Sequence, residues 1–146
     1  MKNFLLSTLA LTLVFFSFSC NKENDTVKSK TELLTQKAWM IEKYEEKVGS
    51  NAWVDEFPGT DACTKDDQYI FRANNTYEFN EGATKCDAAD PQVFGSGNWS
   101  FKENETVLSL DSEDFKLDRL DGTNLVISAE ETIGGTLYQI RITFRH

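Results

Sequence analysis

The sequence predicts an all-β fold, an antiparallel up-and-down β-barrel of about eight strands behind one short N-terminal helix. Three observations predict it. Strand-like segments recur at short spacing from Ala38 to Phe144, and nearly every gap between them holds Gly, Asn or Asp. No second helix of useful length intervenes, which excludes parallel β-α-β units. The last segment alternates cleanly, with Tyr138, Ile140, Ile142 and Phe144 on one face and Gln139, Arg141, Thr143 and Arg145 on the other. Such alternation marks an antiparallel sheet with one buried and one solvated face. Consecutive strands on short turns favour closure, because closure removes exposed edges. A β-sandwich is the competing architecture.

The elements follow in order. Ser29-Lys30-Thr31-Glu32 has the spacing of a capping box and precedes Leu33 and Leu34, so a short helix is expected from about Lys30 to Gln36. Strands are expected over Ala38–Val48, Ala52–Phe57, Gln68–Ala73, Thr76–Glu81, Gly97–Lys102, Thr106–Leu110, Asp114–Leu120, Asn124–Glu130 and Thr136–Phe144. Gly95-Ser96-Gly97 and Gly134-Gly135 read as turns. The third and fourth strands form a hairpin with two possible registers. A two-residue turn at Asn74-Asn75 sets Tyr69 and Phe71 on the face of Glu78 and Asn80. A three-residue turn with Asn75 left-handed sets Tyr69, Phe71, Tyr77 and Phe79 on one face, and Arg72 and Glu78 on the other. A one-residue slip would flip that apolar set, so the three-residue turn is expected.

Residues 1–19 stand apart from this domain. Lys2 is their only charge, and Phe4 to Phe18 is an uncharged, mostly apolar run. A membrane span needs ~20 apolar residues. This run is shorter and stops at Ser17-Phe18-Ser19-Cys20, which resembles a bacterial lipobox with Ser17 in place of the usual Leu. The resemblance implies a lipoprotein signal peptide over 1–19, lipid on Cys20, a polar tether over 20–29 and the barrel domain over 30–146. An ordinary secretory signal is the competing reading. Acylation at Cys20 implies stable membrane anchoring, since two or more chains are needed for it. The expected location is the cell envelope, lipid-anchored at the outer membrane. Asn21-Lys22-Glu23-Asn24-Asp25 resembles the surface-export signal of Bacteroidota lipoproteins and equally suits a plain tether.

The net charge is −9, and every Asp and Glu lies after residue 19. Such an acidic surface repels phosphate backbones and anionic headgroups, which argues against nucleic acid as a partner. With Cys20 set aside for lipid, Cys63 and Cys86 remain as one pair around the hairpin. Export implies an oxidising compartment, so a disulfide is expected. A thiolate metal site lacks histidine partners, because His146 is the only histidine.

A short helix, then Lys37-Ala38-Trp39 opening a long strand, then a meander, is similar to the lipocalin pattern, with Lys37 where lipocalins place Gly. The run from Cys63 to Phe71, the turn, Thr76-Tyr77, Cys86 and Gly97-Asn98-Trp99 resembles the lipocalin-like lipoprotein domains of Bacteroidota. The likeness covers Thr31 to the end of the chain. It implies that Trp39 closes the barrel base near the last strand, with Arg141 or Arg145 stacked on it. It also implies a small, partly apolar ligand at the mouth, where Phe71, Tyr77, Trp99 and Tyr138 are expected.

Little here suggests catalysis. A single terminal histidine cannot build a Ser-His-Asp or Cys-His set. No phosphate-cradling Gly loop is visible. Asp61, Asp66 and Asp67 read as a solvated loop rather than a calcium site, and no metal or cofactor is expected. The expected function is therefore a non-enzymatic, monomeric, ligand-binding module. Two other readings remain open: a structural envelope lipoprotein with a filled barrel, and a carboxylate-based hydrolase using pairs among Asp111, Glu113, Asp114, Glu130 and Glu131.

Overall fold

The computed structural model describes residues 27–146. The expected signal peptide, Cys20 and most of the expected tether lie outside the described residues. Helix α1 spans Lys30–Thr35. Ser29 caps it reciprocally: its Oγ accepts the Glu32 N–H at 3.2 Å, and a Glu32 carboxylate oxygen accepts the Ser29 N–H at 2.8 Å. Such a cap stabilises a short helix by about 1 kcal/mol.

Nine strands follow: β1 Met40–Val48, β2 Val54–Asp55, β3 Gln68–Phe71, β4 Thr76–Asn80, β5 Val93–Lys102, β6 Val107–Leu110, β7 Glu113–Leu120, β8 Asn124–Ile133 and β9 Thr136–Arg145. They form one antiparallel sheet in the order β2-β1-β9-β8-β7-β6-β5-β4-β3. A single continuous sheet replaces the two stacked sheets of a sandwich. The two-residue β2 only flanks the outer end of β1, which leaves eight principal strands. The ladder does not close along its length. Its far edges meet at one antiparallel bridge, Trp39 to Tyr69. Bulges at Ile41/Lys43, Phe79/Asn80 and Leu117/Arg119 bend the sheet toward that meeting.

The β3–β4 register is the one the apolar pattern demands. Phe71 pairs with Tyr77 and Tyr69 with Phe79, and Asn75 is left-handed at φ 67°. The same alternation runs around the sheet as inward rows. Tyr77 pairs with Gly97, Trp99 with Leu110, Leu108 with Phe115, Leu117 with Ile127, and Ile127 with Ile142. The buried core is Leu34, Trp39, Phe71, Tyr77, Trp99, Leu108, Leu125, Ile127 and Phe144. Cys63 and Cys86 are joined, with Cα atoms 5.2 Å apart. The bridge ties the segment before β3 to the loop after β4. Closing a loop of this length stabilises the fold by about 3 kcal/mol on the chain-entropy account.

One expectation is corrected here. Gly95-Ser96-Gly97 is not a turn but part of β5. The two glycines face inward, where an added Cβ at Gly95 would lie 2.9 Å from the Phe79 ring. At Gly97 it would collide with the Asp111 carboxylate. These positions lack side chains because facing groups occupy the space.

Candidate ligand-binding site

The two ends of the barrel differ. At one end α1 and the chain terminus form a plug. Trp39 is fully buried, and its Nε1–H donates to the Leu34 carbonyl at 2.8 Å. The ring stacked on Trp39 is His146, with centroids 3.8 Å apart, and the His146 Nδ1–H donates to Ala38 O at 2.9 Å. The expected arginine stack is thus corrected. Strand alternation explains it, since Phe144 points inward and therefore Arg141 and Arg145 point outward, while His146 returns to the inner side. Arg141 instead makes a two-pronged ion pair with Glu45, both bonds 2.8 Å, which holds the Glu45 carboxyl below its ordinary range. Its guanidinium lies 4.6 Å from the centre of the Trp53 ring on the outer face.

Above the plug the side chains form an aromatic floor. Phe71 meets Trp99 edge-on at 6.2 Å, and Trp99 meets Phe101 at 5.3 Å. The Trp99 Nε1–H donates to Arg72 O at 3.0 Å, so its one polar atom is satisfied. Tyr69 packs edge-on against both Phe79, at 4.3 Å, and Phe144, at 5.0 Å.

Toward the other end the filling stops. A hollow of about 410 Å³ is lined by Tyr69, Tyr77, Phe79, Leu110, Asp111, Ser112, Glu113, Phe115, Ile127, Ile142 and Phe144. A neighbouring hollow of about 450 Å³ shares Glu113 and Phe115 with it and reaches Glu131, Tyr138 and Ile140. Concave apolar walls with a few placed polar groups are what small-molecule sites are made of. One of those groups is fixed. The Tyr77 hydroxyl donates to Asp111 Oδ2 at 2.8 Å, and the Asn98 N–H donates to Oδ1 at 2.8 Å. The backbone bond first, and the phenol second, hold the Asp111 carboxyl below its ordinary range. Burial and this carboxylate push the Tyr77 phenol up to about 12.

Of the four mouth residues expected from the sequence, Tyr77 lines the main hollow and Tyr138 the neighbouring one. Phe71 and Trp99 are buried beneath, at 4% and 3% exposure, as floor. Tyr138 has the inward parity expected of it but is 42% exposed, because it sits at the rim rather than in the core. Phe115 was legible from the spacing of Phe115 and Leu117 and was not singled out. Asp111 was not legible as a wall group. It occupies a left-handed turn position, φ 52°, and only Gly97 across the sheet betrays the room made for it.

The acidic loop is more than solvated surface. Asp66 Oδ2 accepts the N–H groups of Ala83 and Thr84, at 3.0 and 2.9 Å, bracing the disulfide-bonded loop. Asp67 Oδ1 is buried with no protein partner. Burial, then Glu81 and Asp66, push its carboxyl up to about 6. Among the described residues no group of three or more His, Cys, Asp or Glu side chains is placed to hold a metal ion.

A larger hollow of about 790 Å³ lies on the outer face, between Trp53, Lys116, Asp118, Ser128, Gln139 and Arg141. Its two central cations are already paired: Lys116 with Asp118 at 2.6 Å, and Arg141 with Glu45 at 2.8 Å.

An antiparallel barrel, plugged at one end and hollow at the other, defines a class of small β-barrel built around an internal cavity. Residues 35–143 match the lipocalin-like domain, and the chain belongs to that family. No curated protein matches it.

Proposed function

We propose that this protein is a lipid-anchored cell-envelope module that takes a small, partly apolar molecule into the open end of its barrel and performs no chemistry on it. The observation that carries the reading is the inner hollow of about 410 Å³, walled by aromatic and branched side chains above a solid floor. A barrel filled throughout would suit a purely structural role, and here only the lower half is filled. The hydrolase reading loses support from the partners of its carboxylates. Asp111 is held ionised and so is a poor general acid. Asp114 is paired with Lys102 at 2.6 Å, and Glu130 accepts a hydrogen bond from Gln139. The anchor rests on Ser19-Cys20 and the apolar run before them. The envelope location, at the outer membrane, is proposed together with that anchor.

Native mass spectrometry of protein purified without added ligand tests the binding role. A co-purifying small molecule is expected, and Phe115→Trp, which narrows the hollow, should reduce its retention. Protein with no adduct, and no uptake of any apolar compound offered, would leave the barrel as scaffold only.

A further inference from the structure

The geometry points to a cationic ligand: an ammonium head carried on an apolar body, with the body in the hollow and the head at its rim. This deepens the binding role proposed above and rests on it. The hollow is the site, and its polar groups set the sign of what it accepts. No Lys, Arg or His lines either the main hollow or its neighbour. All the charged side chains that line them are carboxylates: Asp111, Glu113, Asp114, Glu130 and Glu131. Asp114 has Lys102, and Glu130 sits on the outward row opposite Gln139. Three carboxylates are left facing the cavity. Glu113 and Glu131 share the inward parity of Leu117 and Ile127, and among the described residues neither is in an ion pair.

Asp111 makes the case specific. Its carboxylate is not a stray surface charge. The side chain of residue 97 is absent to admit it, the Asn98 N–H and the Tyr77 hydroxyl grip its two oxygens, and those bonds keep it ionised. A fixed negative charge at the lip of an aromatic cavity repels a carboxylate or phosphate head and attracts an ammonium. The walls act in the same direction. Tyr77, Phe79 and Phe115 present ring faces or edges to the hollow, and a desolvated cation over an aromatic face is stabilised. The overall charge of −9 adds a long-range field that raises the encounter rate of cations.

The test is a matched set of three compounds that differ only in the head group: phenylbutylammonium, phenylbutanol and phenylbutyrate. The protein as purified from cells is held in lipid nanodiscs and titrated by calorimetry, with protein-free discs as the blank. The ammonium compound should bind about tenfold or more tighter than the alcohol, and the carboxylate weakest of all. The preference for the ammonium over the alcohol should shrink several-fold in the double variant Glu113→Gln, Glu131→Gln. Equal or tighter binding of phenylbutyrate or phenylbutanol would overturn the charge preference and leave the binding role standing. An ammonium preference that survives the double variant and Asp111→Asn together would place the cation elsewhere and overturn it too. If none of the three binds to folded, disulfide-intact protein, both the preference and the binding role fall.

Discussion

Trp39 and Tyr69 exchange two backbone hydrogen bonds, 2.9 Å from the Trp39 N–H to Tyr69 O and 2.8 Å from the Tyr69 N–H to Trp39 O. This pair joins the two far edges of an otherwise open sheet, one residue before β1 begins. The Trp39 ring is meanwhile fixed between Leu34 and His146. Backbone closure and the plug of the base therefore hang on one residue. Trp39→Ala should lower stability by about 3–5 kcal/mol, the usual range for emptying a large buried aromatic site. Urea unfolding followed by far-ultraviolet circular dichroism measures it. A loss under about 1 kcal/mol would show that the base collapses without cost or that the ring is not buried.

Floor and wall aromatics should respond differently. Phe71→Ala removes a buried ring and should cost about 3–5 kcal/mol in the same unfolding experiment. Phe115 is half-buried and borders the hollow, so Phe115→Ala should cost less while ligand retention falls. The comparison of the two losses, with native mass spectra of both variants, checks the division. Equal losses would mean that the hollow is filled in solution.

The disulfide constrains the β3–β4 hairpin from outside the ladder. Replacing both Cys63 and Cys86 by Ala should lower stability by ~2–5 kcal/mol without altering the strand register. Peptide mapping without reductant should recover the two cysteines in one linked peptide pair. Two free thiols would remove the constraint from the account.

Asp67 should make the protein less stable as neutrality is approached from below. Its folded value of about 6 lies above the ordinary aspartate value of 3.8, so between these limits the folded chain binds more protons than the unfolded one. The stabilising effect of its proton is complete below about 3.8 and is lost as pH rises through about 6. Asp67→Asn should therefore raise the melting temperature at pH 7, and the gain should fade toward pH 4. A constant difference across that window would locate the effect in packing, not titration.

Processing at Cys20 is checked in cells. Labelled palmitate should enter the wild-type chain and not Cys20→Ala. An alanine variant that still labels and stays with the membrane would end the anchor proposal.

Much of this architecture is written into local pattern. The capping box at Ser29, the left-handed Asn75 and the alternation of Tyr138 through Phe144 each depend on neighbours in sequence, and each sits where the pattern places it. Two features depend on partners far along the chain and were not readable. The stacking partner of Trp39 was set by where β9 runs out, so His146 took the place expected of an arginine. The division between floor and hollow was set by sheet curvature, which the bulges control, so Phe71 and Trp99 became floor while Phe115 and Asp111 became wall. Strand parity tells which side of a sheet a residue faces. It does not tell how deep along the barrel axis the filling reaches.

The placement of α1 has a consequence for traffic. The helix enters at the plugged end, where Lys30 reaches the β5–β6 turn at Glu105 O and Gln36 reaches the β7–β8 turn at Gly122 O. The hollow opens at the far end, beside Glu113, Glu131 and Tyr138. On the proposed anchor the tether would leave from the plug, and the doorway would point away from the bilayer into water. Cargo would then arrive and depart by aqueous diffusion or by hand-over to a second soluble carrier, and not by sliding out of the lipid beneath.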